Sequence, residues 1–474
     1  MKEENGFWEK PTEEERTARG KAPRRKKLKN PKTKYVLLAV AIGVGSFCAG
    51  FFTYRLSLDA EMRTLIKVKN KIQKEYYEEI TDEAFYDAVF GSVNAAVAVE
   101  GCKTDEEFYE AVYAGINGGL LDDYSLYMTE EEYEAVRLQA TGQQKGIGAY
   151  FLSNTDDLLV YRIAGNSPAE EAGLQKEDRI TAVGKDENSL QTCNTRKQFT
   201  EYLSRVPDEQ DFYLQWLSSS GESEGGYVRK TEYVENYVYY KTNTESYGFD
   251  GEEGYDAKAT GTPLSALNKD TAYIQIVQFN GNAAKAFDKA MVLFKSQNKK
   301  DLVIDLRGNG GGYVNIMQEI AKYFCKDASE RRPIAAIADY GEKKHNFCAT
   351  DNVYEEFFFE ESRVRVLADN LTASASECLI GCMYAYGVIG YEDICLVEDA
   401  EGVAKTFGKG IMQTTYNIVG GGGLKLTTAK IFWPTDTPIS IHGVGVTKAD
   451  GTKTVSYALS YTAQTDEAIR TLYE

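Results

Sequence analysis

The spacing of apolar residues changes near residue 142, and the two patterns predict different structures. Before it, segments such as EAFYDAVFGSVNAAV and DEEFYEAVYAGINGGLL place apolar residues at intervals of three and four, the period of an amphipathic helix. Acidic residues stand near the starts of these segments, and MTEEEY has the Thr and Glu of a capped N-terminus. Residues 57–141 are therefore predicted to form a helical region.

Short apolar runs follow residue 142. GIGAYFL and DLLVYRIAG predict strands, and KEDRITAVGK predicts another strand and turn. NSPAEEAGL predicts a short helix that Ser167 caps, that has Pro168 in its first turn and that ends at Gly173. The order of these motifs resembles a PDZ domain, although Glu177 stands where that pattern usually has glycine.

The resemblance assigns residues 142–235 to a PDZ-like domain. Such a domain binds the C-terminal end of a protein chain as an added strand. The terminal carboxylate would lie against the N–H groups of the GIGA loop, which consists of Gly146, Ile147, Gly148 and Ala149.

Strands and helices alternate through residues 236–474. TAYIQIVQF predicts a strand, NAAKAFDKAMVLFKS an amphipathic helix, and DLVIDL a strand that is buried on both faces. RGNGGG then leads into the helical pattern YVNIMQEIAKYF, and PIAAIADY, VRVLAD and ICLVED predict further strands. This alternation is typical of a mixed α/β core.

An uncharged stretch without proline, YVLLAVAIGVGSFCAGFFTY, runs from Tyr35 to Tyr54. A helix of about 20 apolar residues can cross a bilayer, so a transmembrane anchor is predicted over residues 35–56. The predicted fold class is therefore a mixed α/β core with a helical N-terminal region, an inserted PDZ-like β-domain and one N-terminal transmembrane helix.

Residues 1–34 carry twelve Lys and Arg against six Asp and Glu. By the positive-inside rule this basic tail is predicted to be cytoplasmic and the body extracytoplasmic, in a single-pass protein of the cell membrane. A cleaved signal peptide is the competing hypothesis, which the long leader and the lack of an A-x-A-like site disfavour.

Charge and composition exclude several classes of partner. The formal net charge is −18, and the body without the basic tail is still more acidic, so no nucleic-acid partner is predicted. The two histidines, His345 and His442, lie far apart, and the eight cysteines show no CxxC spacing. Neither a metal site nor a cofactor nor a disulfide framework is therefore predicted.

The turn DLRGNGGG, residues 305–312, lies between a predicted strand and a predicted helix. Its backbone N–H groups can point at an anion. Phosphate is disfavoured because G-x-G-x-x-G, started at Gly308, meets Tyr313 in place of glycine, and no Walker A motif is present. An anion other than phosphate, for instance a developing oxyanion, fits the turn better, and a nucleotide-binding protein is disfavoured.

Two further segments carry candidate chemistry. TASASECLIG, residues 372–381, offers Ser374 and Ser376 as nucleophiles before a helical pattern. AKTFGKGIMQ, residues 404–413, places Lys409 between two glycines, with Lys405 nearby. A desolvated lysine loses its proton more easily and can act as a general base, so a Ser/Lys pair needs no histidine.

Taken in order, these motifs resemble the C-terminal processing peptidases, also called tail-specific proteases. The segments are LDDYSLYMTEEEY, the PDZ-like stretch, AYIQIVQF, DLRGNGGG, TASASE, FGKG…Q and GGLKLTTAKIFWP, over about residues 65–460. The resemblance implies a serine endopeptidase core over residues 236–474.

The resemblance also implies roles for individual residues. Ser374 is the implied nucleophile, Lys409 the base and Gln413 the residue that orients the base. The implied oxyanion donors are the Ser374 N–H and an N–H of Gly311 or Gly312. The implied supporting residues are Arg307 and Glu377.

This sequence departs from the family pattern at three points. Ser374 and Lys409 are farther apart in sequence than is usual in the family. Ala385 stands where an acidic residue often occurs, and the closing GVGVTKAD lacks its proline. None of the three removes a candidate catalytic group.

The predicted function is cleavage of proteins or peptides with apolar C-termini, which the PDZ-like domain would recognise. The alternative is a catalytically inert, PDZ-bearing scaffold that only binds peptides. By analogy with some relatives, the helices of residues 58–140 could also form a homodimer.

Overall fold

The computed structural model describes most of the chain beyond residue 59. The described ranges are 60–99, 104–141, 143–151, 156–251, 258–259, 261–325, 333–349, 362–457 and 461–473. The chain divides into two compact units, Met1–Leu65 and Ile66–Glu474, and apart from residues 60–65 the architecture below is that of the second.

Helices dominate the described residues before 142. They are α1 (Ala60–Glu75), α2 (Asp82–Val99), α3 (Asp105–Gly115) and α4 (Glu130–Ala140), with a π-helical turn (Ile116–Leu120) and strand β1 (Leu126–Met128) between the last two. α3 begins at a capping box, because the Glu107 N–H donates to Thr104 Oγ1 and the Thr104 N–H donates to Glu107 Oε2, each at 3.2 Å. The predicted homodimer through this region stays a prediction.

The predicted localisation is corrected by the helices of the structure. Within the described ranges, no helix is long and apolar enough to cross a membrane. The longest of them, α2, has 18 residues but carries the carboxylates of Asp82, Glu83 and Asp87. The prediction of a single-pass membrane protein is wrong on this finding. The segment on which it rested, residues 35–56, lies outside the described residues.

A small β-rich domain follows. Its elements are β2 (Gln143–Gly146), β3 (Ala149–Phe151), β4 (Val160–Ile163), α5 (Pro168–Glu171), β5 (Arg179–Gly184), β6 (Gln191–Thr192), α6 (Arg196–Arg205), β7 (Asp211–Leu217), β8 (Ser223–Arg229) and β9 (Thr231–Val234). The strands pair as β6-β5-β7-β8, β3-β4 and β2-β9 around a core that contains Phe199, Phe212 and Trp216. Its identity as a PDZ domain stays a prediction.

The structure explains two features of the sequence in this domain, the Ser-Pro start of α5 and the position of Glu177. Ser167 Oγ accepts the Glu170 N–H at 3.3 Å and so caps α5, with Pro168 at its first position. Glu177, the departure from the glycine of the motif, has φ of +74°. A glycine would adopt this left-handed conformation without strain, so the turn itself explains the usual residue.

An eight-stranded sheet forms the main body of the core. Its strands are β10 (Val238–Lys241), β11 (Ser246–Phe249), β12 (Lys258–Ala259), β13 (Thr271–Ile276), β14 (Asp301–Asp305), β17 (Val364–Ala368), β18 (Ile394–Val397) and β21 (Lys453–Val455), in the spatial order β12-β11-β10-β13-β14-β17-β18-β21. The five strands from β13 to β21 run parallel.

Helices cover both faces of this sheet, which confirms the predicted mixed α/β class. They are α7 (Ala283–Ser296), α8 (Val314–Ala321), α9 (Ala375–Ala385) and α10 (Tyr461–Tyr473). Leu302 and Ile304 pack in the core with α7, α8 and α9, whereas Val303 between them packs with α10. This burial on both faces explains the continuous apolar run of β14.

A second sheet lies beside the first. It contains β1, β15 (Ile334–Asp339), β16 (Lys344–Cys348), β19 (Ile411–Asn417) and β20 (Gly423–Phe432), in the order β1-β20-β15-β16 with β19 also paired to β20. The ten-residue β20 therefore joins the N-terminal region, through β1, to the segment that contains Lys409.

The contact between α9 and Trp433 yields a prediction about stability. A Cβ on Gly381 would lie 2.1 Å from the buried Trp433 indole, so Gly381→Ala should lower the free energy of unfolding by about 1–3 kcal/mol. Gly91 in α2 is the matched control, because a Cβ there meets no atom within 4 Å. Gly91→Ala should stabilise the protein by about 0.5–1 kcal/mol. Denaturant unfolding measures both, and an equal effect of the two substitutions would contradict this packing.

Candidate active site

Ser374 lies at the first turn of α9, directly after the loop that follows β17. β14 and β17 are parallel neighbours, with Asp305 opposite Leu367, so the loops after both strands meet at one edge of the sheet. Ser374 has φ of +58° and ψ of −116°, a conformation that is costly for a residue with a side chain.

The glycine turn after β14 is packed directly against Ser374. A Cβ on Gly311 would lie 2.7 Å from the Ser374 Cβ, so only glycine permits this approach. Asn309 holds the turn in place, since its carbonyl accepts the Ala373 N–H at 3.0 Å and the Ser376 hydroxyl at 2.9 Å. Ser376 is buried and bonded to this turn, whereas Ser374 lines a cavity.

Asp369 joins the same two loops at their base. Its carboxylate accepts the Gly308 N–H at 2.9 Å and the Leu371 N–H at 3.0 Å. Thr372 adds a bond across the loops, because its hydroxyl donates to the Leu306 carbonyl at 2.9 Å. Burial raises the pKa of Asp369, and the Gly308 N–H and the positive charges of Lys176 and Arg307 oppose that rise.

Glu377, one turn into α9, connects the Ser374 segment to the Lys409 segment. Its Oε2 accepts the N–H groups of both Ser374 and Lys409 at 2.9 Å. Its Oε1 accepts the Thr406 hydroxyl at 2.6 Å and the Gly408 N–H at 2.8 Å. Burial raises the pKa of Glu377, while these four donors favour the carboxylate.

Glycines on both sides of Lys409 allow its segment to pack against the chain at 442–445. A Cβ on Gly408 would lie 2.9 Å from the Val444 nitrogen, and one on Gly410 would lie 2.8 Å from the His442 nitrogen. The Gly443 N–H donates to the Gly408 carbonyl at 2.8 Å. This packing fixes where the Lys409 side chain begins.

The Lys409 ammonium lies 4.7 Å from the centre of the Tyr124 ring. Burial is the main cause that lowers the pKa of Lys409 to about 8, and the positive charge of Lys425 adds to it. Asp122 and Glu377 oppose this shift. Within the described ranges, Lys409 Nζ makes no hydrogen bond.

Ser374 and Lys409 line the same cavity, whose volume is about 550 Å³. The wall is mostly apolar, and its polar groups include Gln413 and Lys425. Gln413, the predicted orienting residue, donates from Nε2 to Thr427 Oγ1 at 3.1 Å. The geometry therefore brings Ser374, Lys409 and Gln413 to one cavity.

The predicted oxyanion donors differ in their availability. The Gly311 N–H already donates to Asn309 Oδ1 at 2.9 Å, and the Ser374 N–H donates to Glu377. Gly310 and Gly312 also line the cavity, and in the described part of the chain their N–H groups have no hydrogen-bond acceptor. Of the predicted pair, Gly312 is therefore the better candidate.

Arg307, a predicted supporting residue, contacts the end of β14 and α10. Its guanidinium pairs with the Asp305 carboxylate at 2.6 Å and donates to Thr465 Oγ1 at 2.6 Å. It also donates to Gln464 Oε1 at 3.3 Å, so it ties the end of β14 to α10. Arg307 is absent from the wall of the Ser374 cavity within the described residues.

The predicted peptide-binding loop, Gly146 to Ala149, lies at the start of β3. Its Ile147 and Gly148 carbonyls accept the N–H groups of Ala169 and Ala164, each at 2.8 Å. A Cβ on Gly148 would lie 2.2 Å from the Ser167 Cβ, which explains the second glycine of the motif.

Sequence analysis missed four residues of this site: Asn309, Asp369, Tyr124 and Lys425. Asn309 was inside a quoted motif, where an Asn between glycines signals a turn that its side chain closes. The other three also lie inside quoted segments, Tyr124 in LDDYSLYMTEEEY, Asp369 in VRVLAD and Lys425 in GGLKLTTAKIFWP, but no local pattern assigned any of them to the site.

Comparisons with known proteins indicate a family of peptidases. Residues 270–448 match the model of peptidase family S41. A probable CtpA-like serine protease of Staphylococcus epidermidis is 25% identical over 332 residues, which cover 69% of this chain and 57% of the relative. The carboxy-terminal processing protease CtpB of Bacillus subtilis is 25% identical over 360 residues, covering 74% and 64%. The chain thus spans less than two thirds of either relative.

The fold has a match among solved structures. The photosystem II D1 C-terminal processing protease aligns with a TM-score of 0.52 at 19% identity, covering 88% of this chain and 98% of the other. Residues 270–448 therefore match peptidase family S41, and the chain is a homologue of carboxyl-terminal processing serine proteases.

Proposed function

We propose that this chain is a serine endopeptidase in which Ser374 attacks the peptide bond and Lys409 accepts the serine proton. One observation carries the proposal: both side chains line one cavity, and the backbone of both donates to the same Glu377 oxygen. The predicted alternative, an inert scaffold, has no observation in its favour.

The environment of Lys409 suits a general base. A lysine in water has a pKa of about 10.4, so almost none of it is neutral at pH 7. With a pKa of about 8, on the order of a tenth of Lys409 is neutral at pH 7. The neutral amine can take the Ser374 proton as the hydroxyl attacks, and the ammonium can then protonate the leaving amine.

The glycine turn supplies the second requirement of acyl transfer. The attack converts the scissile carbonyl into an oxyanion, which needs N–H donors already aimed at it. Gly310 and Gly312 in the cavity wall suit this role, because their N–H groups have no acceptor among the described residues. The resulting acyl-enzyme on Ser374 is then hydrolysed by water.

The β-rich domain is proposed to hold the substrate tail. β3 pairs with β4 on one side, and no described strand pairs with its other edge, which leaves that edge open to an added strand. A second cavity of about 400 Å³ has Tyr150 and Phe151 of this domain in its wall, together with Gly310 and Lys409. A chain bound along β3 can therefore continue into the active site.

The nucleophile assignment has a matched pair of variants. Ser374→Ala should lower peptide hydrolysis by a factor on the order of 10⁶, because no other group forms the acyl-enzyme. Ser376→Ala loses one buried hydrogen bond, at a cost of about 1 kcal/mol in stability, and should retain substantial activity. The assay is cleavage of an unstructured peptide with an apolar C-terminus. Equal loss in folded samples of both variants would contradict the assignment, and an inactive wild type that still bound the peptide would favour the scaffold.

The base assignment is tested by charge and by pH. Arginine stays protonated, so Lys409→Arg should be as inactive as Lys409→Ala, each down by at least about 10²–10⁴-fold. Lys405→Ala is the control. The backbone of Lys405 forms an antiparallel bridge with Thr447, and Lys405 is not among the described residues of the cavity wall. The wild-type rate should rise with pH through an apparent pKa of about 8, since only neutral Lys409 accepts a proton. Near wild-type cleavage by Lys409→Arg would rule Lys409 out as the base.

A further inference from the structure

A second lysine, Lys425, lines the same cavity as Ser374 and Lys409. It lies on β20, opposite Thr415 of β19 and Leu126 of β1. Because side chains alternate along a strand, Thr415 shares a face with Gln413, which also lines the cavity. The pairing of the strands thus carries Lys425 to the active-site wall.

Lys425 is a partly buried cation with no anion in contact. In the part of the chain that the structure describes, its ammonium makes no hydrogen bond and no ion pair. Burial lowers the pKa of Lys425, and Asp122 opposes this. The carboxylates that act on Lys409 from the surrounding elements are Asp122 and Glu377, and its aromatic neighbour is Tyr124.

A partly buried cation without an ion partner costs free energy, because it loses hydration and gains no compensating contact. Two lysine amines that share a cavity repel each other when both are protonated. Each positive charge therefore favours the neutral form of the other amine. For Lys409, the positive charge of Lys425 is the largest cause after burial that lowers its pKa.

We propose that Lys425 is a positioning residue for the reaction, a second cation in the cavity that keeps Lys409 neutral and ready to accept the Ser374 proton. This inference rests on the proposed Ser/Lys function. It assigns Lys425 no contact with the reacting atoms. A different role, as an anchor for a carboxylate of the substrate, is an outcome that the experiment below separates.

The test compares rate-versus-pH profiles of the full chain. Lys425→Gln should move the rising limb of kcat upward by on the order of one pH unit. Activity at pH 7 should then fall about tenfold and recover at higher pH, because a higher pKa leaves less neutral Lys409 at pH 7. Lys425→Met should behave like Lys425→Gln, and Lys425→Arg should keep the wild-type profile. Lys430→Gln is the matched control, since Lys430 is an exposed lysine on the same strand.

A second readout does not depend on peptidase activity. In the Ser374→Ala background, acetic anhydride labels only the neutral amine of Lys409, and mass spectrometry gives the pH of half-maximal labelling. That pH should be about 8 and should rise by on the order of one unit when Lys425→Gln is added.

An unchanged labelling midpoint in Lys425→Gln would overturn the inference, even in a chain that cleaves no peptide. An unchanged kcat profile with a raised KM would also overturn it, in favour of a carboxylate anchor. A shifted midpoint without any wild-type cleavage would instead contradict the proposed function and leave the coupling of the two lysines established.

Discussion

The Glu377 carboxylate is the interaction on which the rest of the site depends. Its two oxygens accept four donors, from the N–H groups of Ser374, Gly408 and Lys409 and the hydroxyl of Thr406. A buried carboxylate without such donors would be costly, and buried N–H groups without this carboxylate would be costly as well. The helix that begins after Ser374 and the loop that contains Lys409 therefore position each other through one side chain.

Around this carboxylate, hydrogen bonds between neighbouring loops hold the site in place. Adjacent parallel strands β14 and β17 bring the glycine turn and the Ser374 loop to one edge, and Asp369 and Asn309 bond the two together. The strained backbone of Ser374 is held by these contacts from both sides. The second sheet adds Gln413 and Lys425 from β19 and β20, so the cavity wall combines residues of this sheet with the loops that follow β14 and β17.

Motifs in the sequence predicted the parts of this site that lie in local patterns. DLRGNGGG, TASASE and FGKG each contain the turn residues that their backbone requires, so Ser374, Lys409 and the glycine turn could be found, and the S41 comparison supports the family. The prediction assigned Arg307 to the site, whereas it clamps α10 to β14. The sequence around Arg307 does not indicate that a helix more than 150 residues later, α10, will pack against it.

Other features could not be predicted, because they depend on strand pairing. Tyr124 lies more than 280 residues before Lys409, and Lys425 reaches the cavity only through the register of β20 with β1 and β19. The apolar run at 35–54 and the basic tail before it led to the wrong localisation, since no helix within the described residues is long and apolar enough to cross a membrane. Even the longest described helix, α2, carries three carboxylates, and no described helix could cross a membrane, which corrected the predicted localisation.

The identity of the acylated residue tests this account most directly. The purified chain would be mixed with an activated peptide ester, quenched in acid within the first turnover, digested and mapped by mass spectrometry. The account predicts that the acyl group is attached to Ser374, because it is the serine in the cavity with Lys409. An acyl group on Ser376 or on any other residue, or ester hydrolysis without an acyl-enzyme when deacylation is slowed at pH 6, would contradict it.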